Sequence, residues 1–156
     1  MATLLSANTR PTTKADITEL SQNIRKEDRE EIEGLGHSVL ALHLSFDLSN
    51  HLTTMVAPDG SIAGVAGMVD MGNREGQIWM VCTRAIEKNP IALIKGARWW
   101  IPEVSQNYDI LYNSVSKDNL VHRRLLKKLG FRGLRYIQPP PFYKPYIEFV
   151  KLCASS

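Results

Sequence analysis

Asn119-Leu120-Val121-His122-Arg123-Arg124-Leu125-Leu126-Lys127-Lys128-Leu129-Gly130-Phe131 is the stretch on which the reading of this chain turns. A short basic helix is predicted from Lys117 to Leu129, and Gly130 is the left-handed residue expected just past a helix end. Before it, Tyr108 to Val115 reads as a buried strand carrying Ile110, Leu111 and Val115. After it come two more strands, Leu134 to Ile137 and Tyr146 to Leu152, joined around Pro139, Pro140 and Pro141, which form a stiff extended loop.

Upstream, Asn89-Pro90 gives an N-cap followed by a first-turn proline. The helix it opens runs through Ile91, Leu93, Ile94, Ala97, Trp100 and Ile101, and Pro102 is expected to end or kink it. Thr53 to Ala57 and Ser61 to Asp70 flank Pro58-Asp59-Gly60, the strongest hairpin signal in the chain. A third strand, Gln77 to Thr83, follows the polar turn that begins at Met71. Near the start, Ile17, Leu20, Ile24 and Ile32 mark one or two amphipathic helices between Thr13 and Glu33, stopped by Gly34 and Gly36. A further helical stretch, Ser38 to Asn50, places Val39, Leu42, Phe46 and Leu48 on one side. The order is helix, helix, three antiparallel strands, helix, strand, helix, two strands. This predicts one α/β (α+β) domain over residues 1–156, with a mixed, mostly antiparallel sheet flanked by helices.

Composition narrows the function classes. At 44% hydrophobic residues the 156-residue chain can bury a core. The net charge of +3 comes from 19 basic and 16 acidic side chains scattered among one another, which argues against nucleic acid as a partner. Only His122, Arg123, Arg124, Lys127 and Lys128 argue for it, and charge on a short helix is ordinarily a solvated face. Cys82 and Cys153 sit in apolar runs without metal or disulfide spacing, as buried thiols in a reducing compartment do. No signal peptide or membrane span is visible, so a soluble protein made in a cytoplasm is expected. There is no Ser-His-Asp order, metal-ligand cluster or P-loop.

The Asn119 to Phe131 stretch resembles the N-x-x-A-x-x-x-Y-x-x-x-G-F element of the GNAT acetyltransferase superfamily, in register, and Arg10-Pro11 with Asp16 is similar to its R-P-A-x-x-x-D entry. The resemblance implies acetyl-CoA as cofactor, with strands ending near Val81 and Val115 splaying apart to admit the pantetheine arm. It also implies a glycine-rich loop whose backbone N–H groups bind pyrophosphate. Here Val81 to Pro90 contains no glycine. Ala85, Ile86 and Glu87 would crowd the approach, Glu87 repels phosphate, and Pro90 lacks a donor. Arg84, Lys88, Asn89 and Asn119 are what remains as candidate coenzyme contacts. Leu126 stands where the resemblance implies the tyrosine that protonates the leaving thiolate, and leucine transfers no proton. His122, one turn earlier, is the candidate catalytic residue, although among so many cations it reads as a solvated helix-surface side chain. Asp70, Glu75 and Glu87 lie in polar turns as solvated carboxylates.

Asn119, His122, Arg124, Leu126, Lys127 and Gly130, with Trp79-Met80-Val81 before them, also resemble the internal virion or head-morphogenesis proteins of short-tailed T-seven-like phages, a small GNAT-like family. That resemblance implies assembly rather than catalysis, with other virion proteins as partners, no cofactor and no metal. It places the chain in the virion or in the host cytoplasm during assembly. The alternative is an active acetyl-CoA-dependent N-acetyltransferase. For an interface, Trp99 and Trp100 lie about 100° apart on one helix turn, so one of them is expected at the surface. Phe142 and Tyr143, with Tyr146, add rings beside the proline loop.

Overall fold

The computed structural model describes residues 8–153. Strand β1 (Thr9–Pro11) leads into helices α1 (Lys14–Asn23), α2 (Lys26–Gly34) and α3 (Leu40–Leu48). Strands β2 (Asn50–Val56), β3 (Ile62–Asp70) and β4 (Glu75–Cys82) follow, then the single turn α4 (Ala85–Lys88) and the long helix α5 (Pro90–Ser105). Strand β5 (Ile110–Ser116), helix α6 (Leu120–Lys128) and strands β6 (Arg132–Ile137) and β7 (Tyr146–Leu152) complete it. The strands form one sheet in the order β1-β2-β3-β4-β5-β7-β6, antiparallel except where β4 meets β5.

Helices cover both faces of the sheet, α5 on one and α1 and α3 on the other, each with apolar residues turned inward. Trp100, Ile101 and Val104 of α5 pack with Met68, Ile78, Leu111, Val115, Phe131 and Phe149 on one face. Ile17 and Leu20 of α1 and Leu42 of α3 pack with Val65 and Val81 on the other. The Arg10-Pro11 and Asp16 signature has a local cause. Thr13 and Asp16 form a capping box, and the Asp16 carboxylate also takes the Arg10 guanidinium (2.8 Å) and the Thr54 hydroxyl (3.0 Å). Burial pushes this carboxyl up, but the bonds from Arg10, Thr13 and Thr54 together hold it below its ordinary value.

Several boundaries differ from expectation. Helix α5 passes through Pro102 to Ser105, and the burial of Val104 beyond the proline shows what holds that last turn. Asn89 does not cap α5 with its side chain, which donates instead to the carbonyl of Ala85 (3.1 Å). Leu48 is exposed rather than aligned with Leu42, and Cys153 is only half-buried. The three-residue β1 and the single turn α4 are too short to leave a periodic trace.

Candidate functional site

Strands β4 and β5 pair only from Glu75 to Gln77 against Ile110 to Tyr112. Beyond that they part, and Asn113 Nδ2 bridges the fork by donating to the carbonyl of Ile78 (2.7 Å). A cavity of about 320 Å³ lies at the fork, lined by Glu31, Leu42 and Trp79 from one side of the sheet and by Trp100, His122 and Leu126 from the other.

At the far end of β4 the edge that β5 abandons is taken by the chain itself. Ile24 and Thr83 form an antiparallel bridge. The N–H of Arg25 donates to the Cys82 carbonyl (2.9 Å), and the N–H of Cys82 donates to Asp28 Oδ2 (2.7 Å). The start of α2 therefore covers the Cys82 end of that edge.

A buried polar network surrounds that contact. The Arg25 guanidinium donates to Asp28 Oδ1 (2.8 Å) and pairs with Glu27 (2.9 Å) and Glu87 (3.3 Å). Asn119 Nδ2 donates both to Asp28 Oδ1 and to Glu31 Oε2, each at 3.0 Å. Glu31 Oε2 also accepts from the Ser116 N–H (3.0 Å), and the Tyr146 hydroxyl donates to the Glu31 carbonyl oxygen (2.6 Å). Burial, helped by the nearby Asp28, raises the Glu31 carboxyl to about 7 against the bonds from Ser116 and Asn119. Burial and Glu31 push Tyr146 up to about 12, and burial raises the Cys82 thiol well above its ordinary value.

Five backbone N–H groups of the segment after β4 are already bonded. Thr83 N–H bonds to Ala63, Ala85 N–H to the Thr83 hydroxyl, Ile86 N–H to Thr83, Glu87 N–H to Arg84, and Asn89 N–H to Ile86. These donors are turned toward the chain itself, most of them within the turn α4. Arg84 is held by Glu27 (2.9 Å) and Glu87 (2.6 Å).

No protein-family model matches the sequence, and no curated protein matches it. Solved structures do. The ribosomal-protein-alanine N-acetyltransferase from Brucella melitensis superimposes with a TM-score of 0.68 at 13% identity, covering 93% of this chain and 99% of that one. The fold is that of the GNAT acetyltransferases. A GNAT-family acetyltransferase from Streptococcus pneumoniae gives 0.62 at 17% identity over 94% and 98% of the two chains. The yncA protein from Salmonella typhimurium, solved with its cofactor acetyl-CoA, gives 0.67 at 13% identity over 95% and 94%. At such identities the likeness carries the GNAT fold and leaves the chemistry to be argued from this chain's own residues.

Of the residues singled out from sequence, Asn119 lies in the network just described and His122 lies beside it, with Nε2 3.5 Å from Asp28 Oδ2. His122 is buried rather than solvated, because α6 begins against α2 and the end of β4. Burial lowers its pKa, opposed by Asp28. Lys88 is exposed, and Asn89 turns back onto α4. Trp99 is 37% exposed while Trp100 is 8% exposed and donates to the His51 carbonyl (3.0 Å). Phe142 and Tyr143 are exposed, but Tyr146 is core and drops out as a surface anchor. Arg25, Asp28 and Glu31 went unnoticed. Their signal was a spacing of three that puts three charged groups on one helix face, where apolar residues are the usual marker of burial.

Proposed function

We propose that this chain is a GNAT-fold protein that works by binding other proteins, in the assembly of a bacteriophage particle, rather than by transferring acetyl groups. The observation that carries the non-catalytic part is that Arg25 and Asp28 take both backbone groups of Cys82, at the end of the β4 edge that β5 leaves. The internally bonded segment after β4 and the leucine at position 126 support it. The phage setting rests on the pattern Asn119, His122, Arg124, Leu126, Lys127, Gly130. In this reading Trp99, Phe142 and Tyr143 are candidate contacts with other virion proteins, and no cofactor is required.

The cavity at the fork favours a second reading, an acetyl-CoA-dependent N-acetyltransferase with Glu31 as the base. Glu31 lines that space and titrates near neutrality. Calorimetric titration with acetyl-CoA separates the two. Assembly predicts no saturation at ordinary coenzyme concentrations, and mass spectrometry of purified particles should find the chain. A micromolar dissociation constant, about 8 kcal/mol of binding free energy, restores the enzyme.

A further inference from the structure

Asp28 in the first turn of α2, Cys82 at the end of β4 and His122 in the first turn of α6 arrive from three separate elements and are all buried. The nearest ligand atoms of the three, a carboxylate oxygen, Sγ and a ring nitrogen, all lie within 4.8 Å of one another. His122 Nε2 is buried with no hydrogen-bond partner and stands 3.5 Å from Asp28 Oδ2. A buried ring nitrogen without a partner costs stability unless something fills its lone pair or accepts its proton.

We propose that Asp28, Cys82 and His122 form a three-ligand binding site for a zinc-like divalent ion, its fourth position taken by water, that fastens α2 and α6 to the end of β4. Nitrogen, sulfur and carboxylate oxygen are the donor set zinc prefers, at about 2.0–2.3 Å. Ligand atoms around one tetrahedral ion at those lengths stand roughly 3.3–3.8 Å apart. The Asp28–His122 separation already falls in that range, and the rest need approach by no more than about 1 Å. The carboxylate is oriented from behind, since Arg25 and Asn119 both donate to Oδ1 and leave Oδ2 turned toward the histidine. Oδ2 spends one lone pair on the Cys82 N–H and keeps another. A thiolate and a carboxylate neutralise a divalent ion, while the positive charge of Arg25 is met by Glu27 and Glu87. The ion displaces the thiol proton, so binding releases protons and strengthens with pH.

The test uses untagged full-length protein stripped with chelator and titrated with Co²⁺, then with Zn²⁺. Stoichiometric binding with a thiolate-to-cobalt charge-transfer band in the near ultraviolet, bleached by Zn²⁺, is expected, together with a zinc-dependent rise in Tm. In Cys82→Ser the band disappears, and in Cys82→Ser and His122→Asn the zinc-dependent rise is lost. Absence of the band in the unaltered protein overturns the site whatever the variants do. A zinc-dependent Tm rise that persists in both folded variants overturns it too, by moving the ion to exposed histidines such as His37 or His51.

Discussion

Helices α2 and α3 are neighbours in sequence and equal in length, yet they depart from the inside-outside rule in opposite directions. Helix α2 and its leading residue bury Arg25 and Asp28, while α3 leaves Leu40, Leu44 and Leu48 at 72%, 60% and 57% exposure, one above another on its surface. The cause of the first is the unpaired end of β4, which needs polar partners where β5 turns away. Nothing within the described chain covers the second. Burial on this fold is thus set by what the sheet leaves unsatisfied, and apolar patterning is a guide only where the sheet is fully paired.

The largest effect is expected at Asp28. Asp28→Ala leaves Arg25 short of a buried partner and Cys82 N–H without an acceptor, which should cost about 3 kcal/mol or more in urea unfolding. Asp28→Asn keeps an acceptor oxygen and should cost less. Equal losses in the two variants would mean that charge, and not the backbone contact, docks α2.

Glu31 gives a pH signature of up to about 3 kcal/mol. Its pKa rises from 4.5 to about 7 on folding, so its contribution is full below pH 4.5 and is lost as the pH climbs through 7. His122, whose pKa falls on folding, contributes in the opposite sense, above about pH 6.5. Glu31→Gln isolates the first. Between pH 5 and 7.5 the unaltered protein should lose stability relative to this variant, and parallel pH profiles would place Glu31 in water.

Gly34 closes α2 against the Tyr146 hydroxyl, which occupies the space a Cβ would need. Gly34→Ala should push that hydroxyl off the Glu31 carbonyl and lower stability by about 1–3 kcal/mol. No loss of Tm would show that the end of α2 is loosely seated.

The smallest effect belongs to α3. Changing Leu40, Leu44 and Leu48 together to Gln should alter unfolding free energy by no more than about 0.5 kcal/mol per site. A much larger loss would mean these leucines pack within the chain.

The sheet was legible because its signals are local. Pro58-Asp59-Gly60 names a hairpin by itself, Gly130 ends a helix at a φ of 87°, and the strand β7 residues were bounded correctly on both sides. The network was not legible, because Arg25, Asp28, Cys82, Asn119 and His122 are joined only by the divergence of two strands. That divergence depends on how long β4 and β5 stay paired, a quantity no single segment encodes. His122 shows the cost. Its neighbours Arg123, Arg124, Lys127 and Lys128 suggested solvent, yet one helix carries both a wet and a dry side.

The Asp16 carboxylate joins the first turn of α1, strand β1 through Arg10 and strand β2 through Thr54. A strand of three residues would ordinarily fray on its own, exchanging its amides quickly. Here fraying of β1 requires release of a buried carboxylate that also caps a helix. The amide of Val56, bonded to the Asn8 carbonyl, should therefore exchange with deuterium in step with the opening of α1 rather than at the rate of a loose chain end.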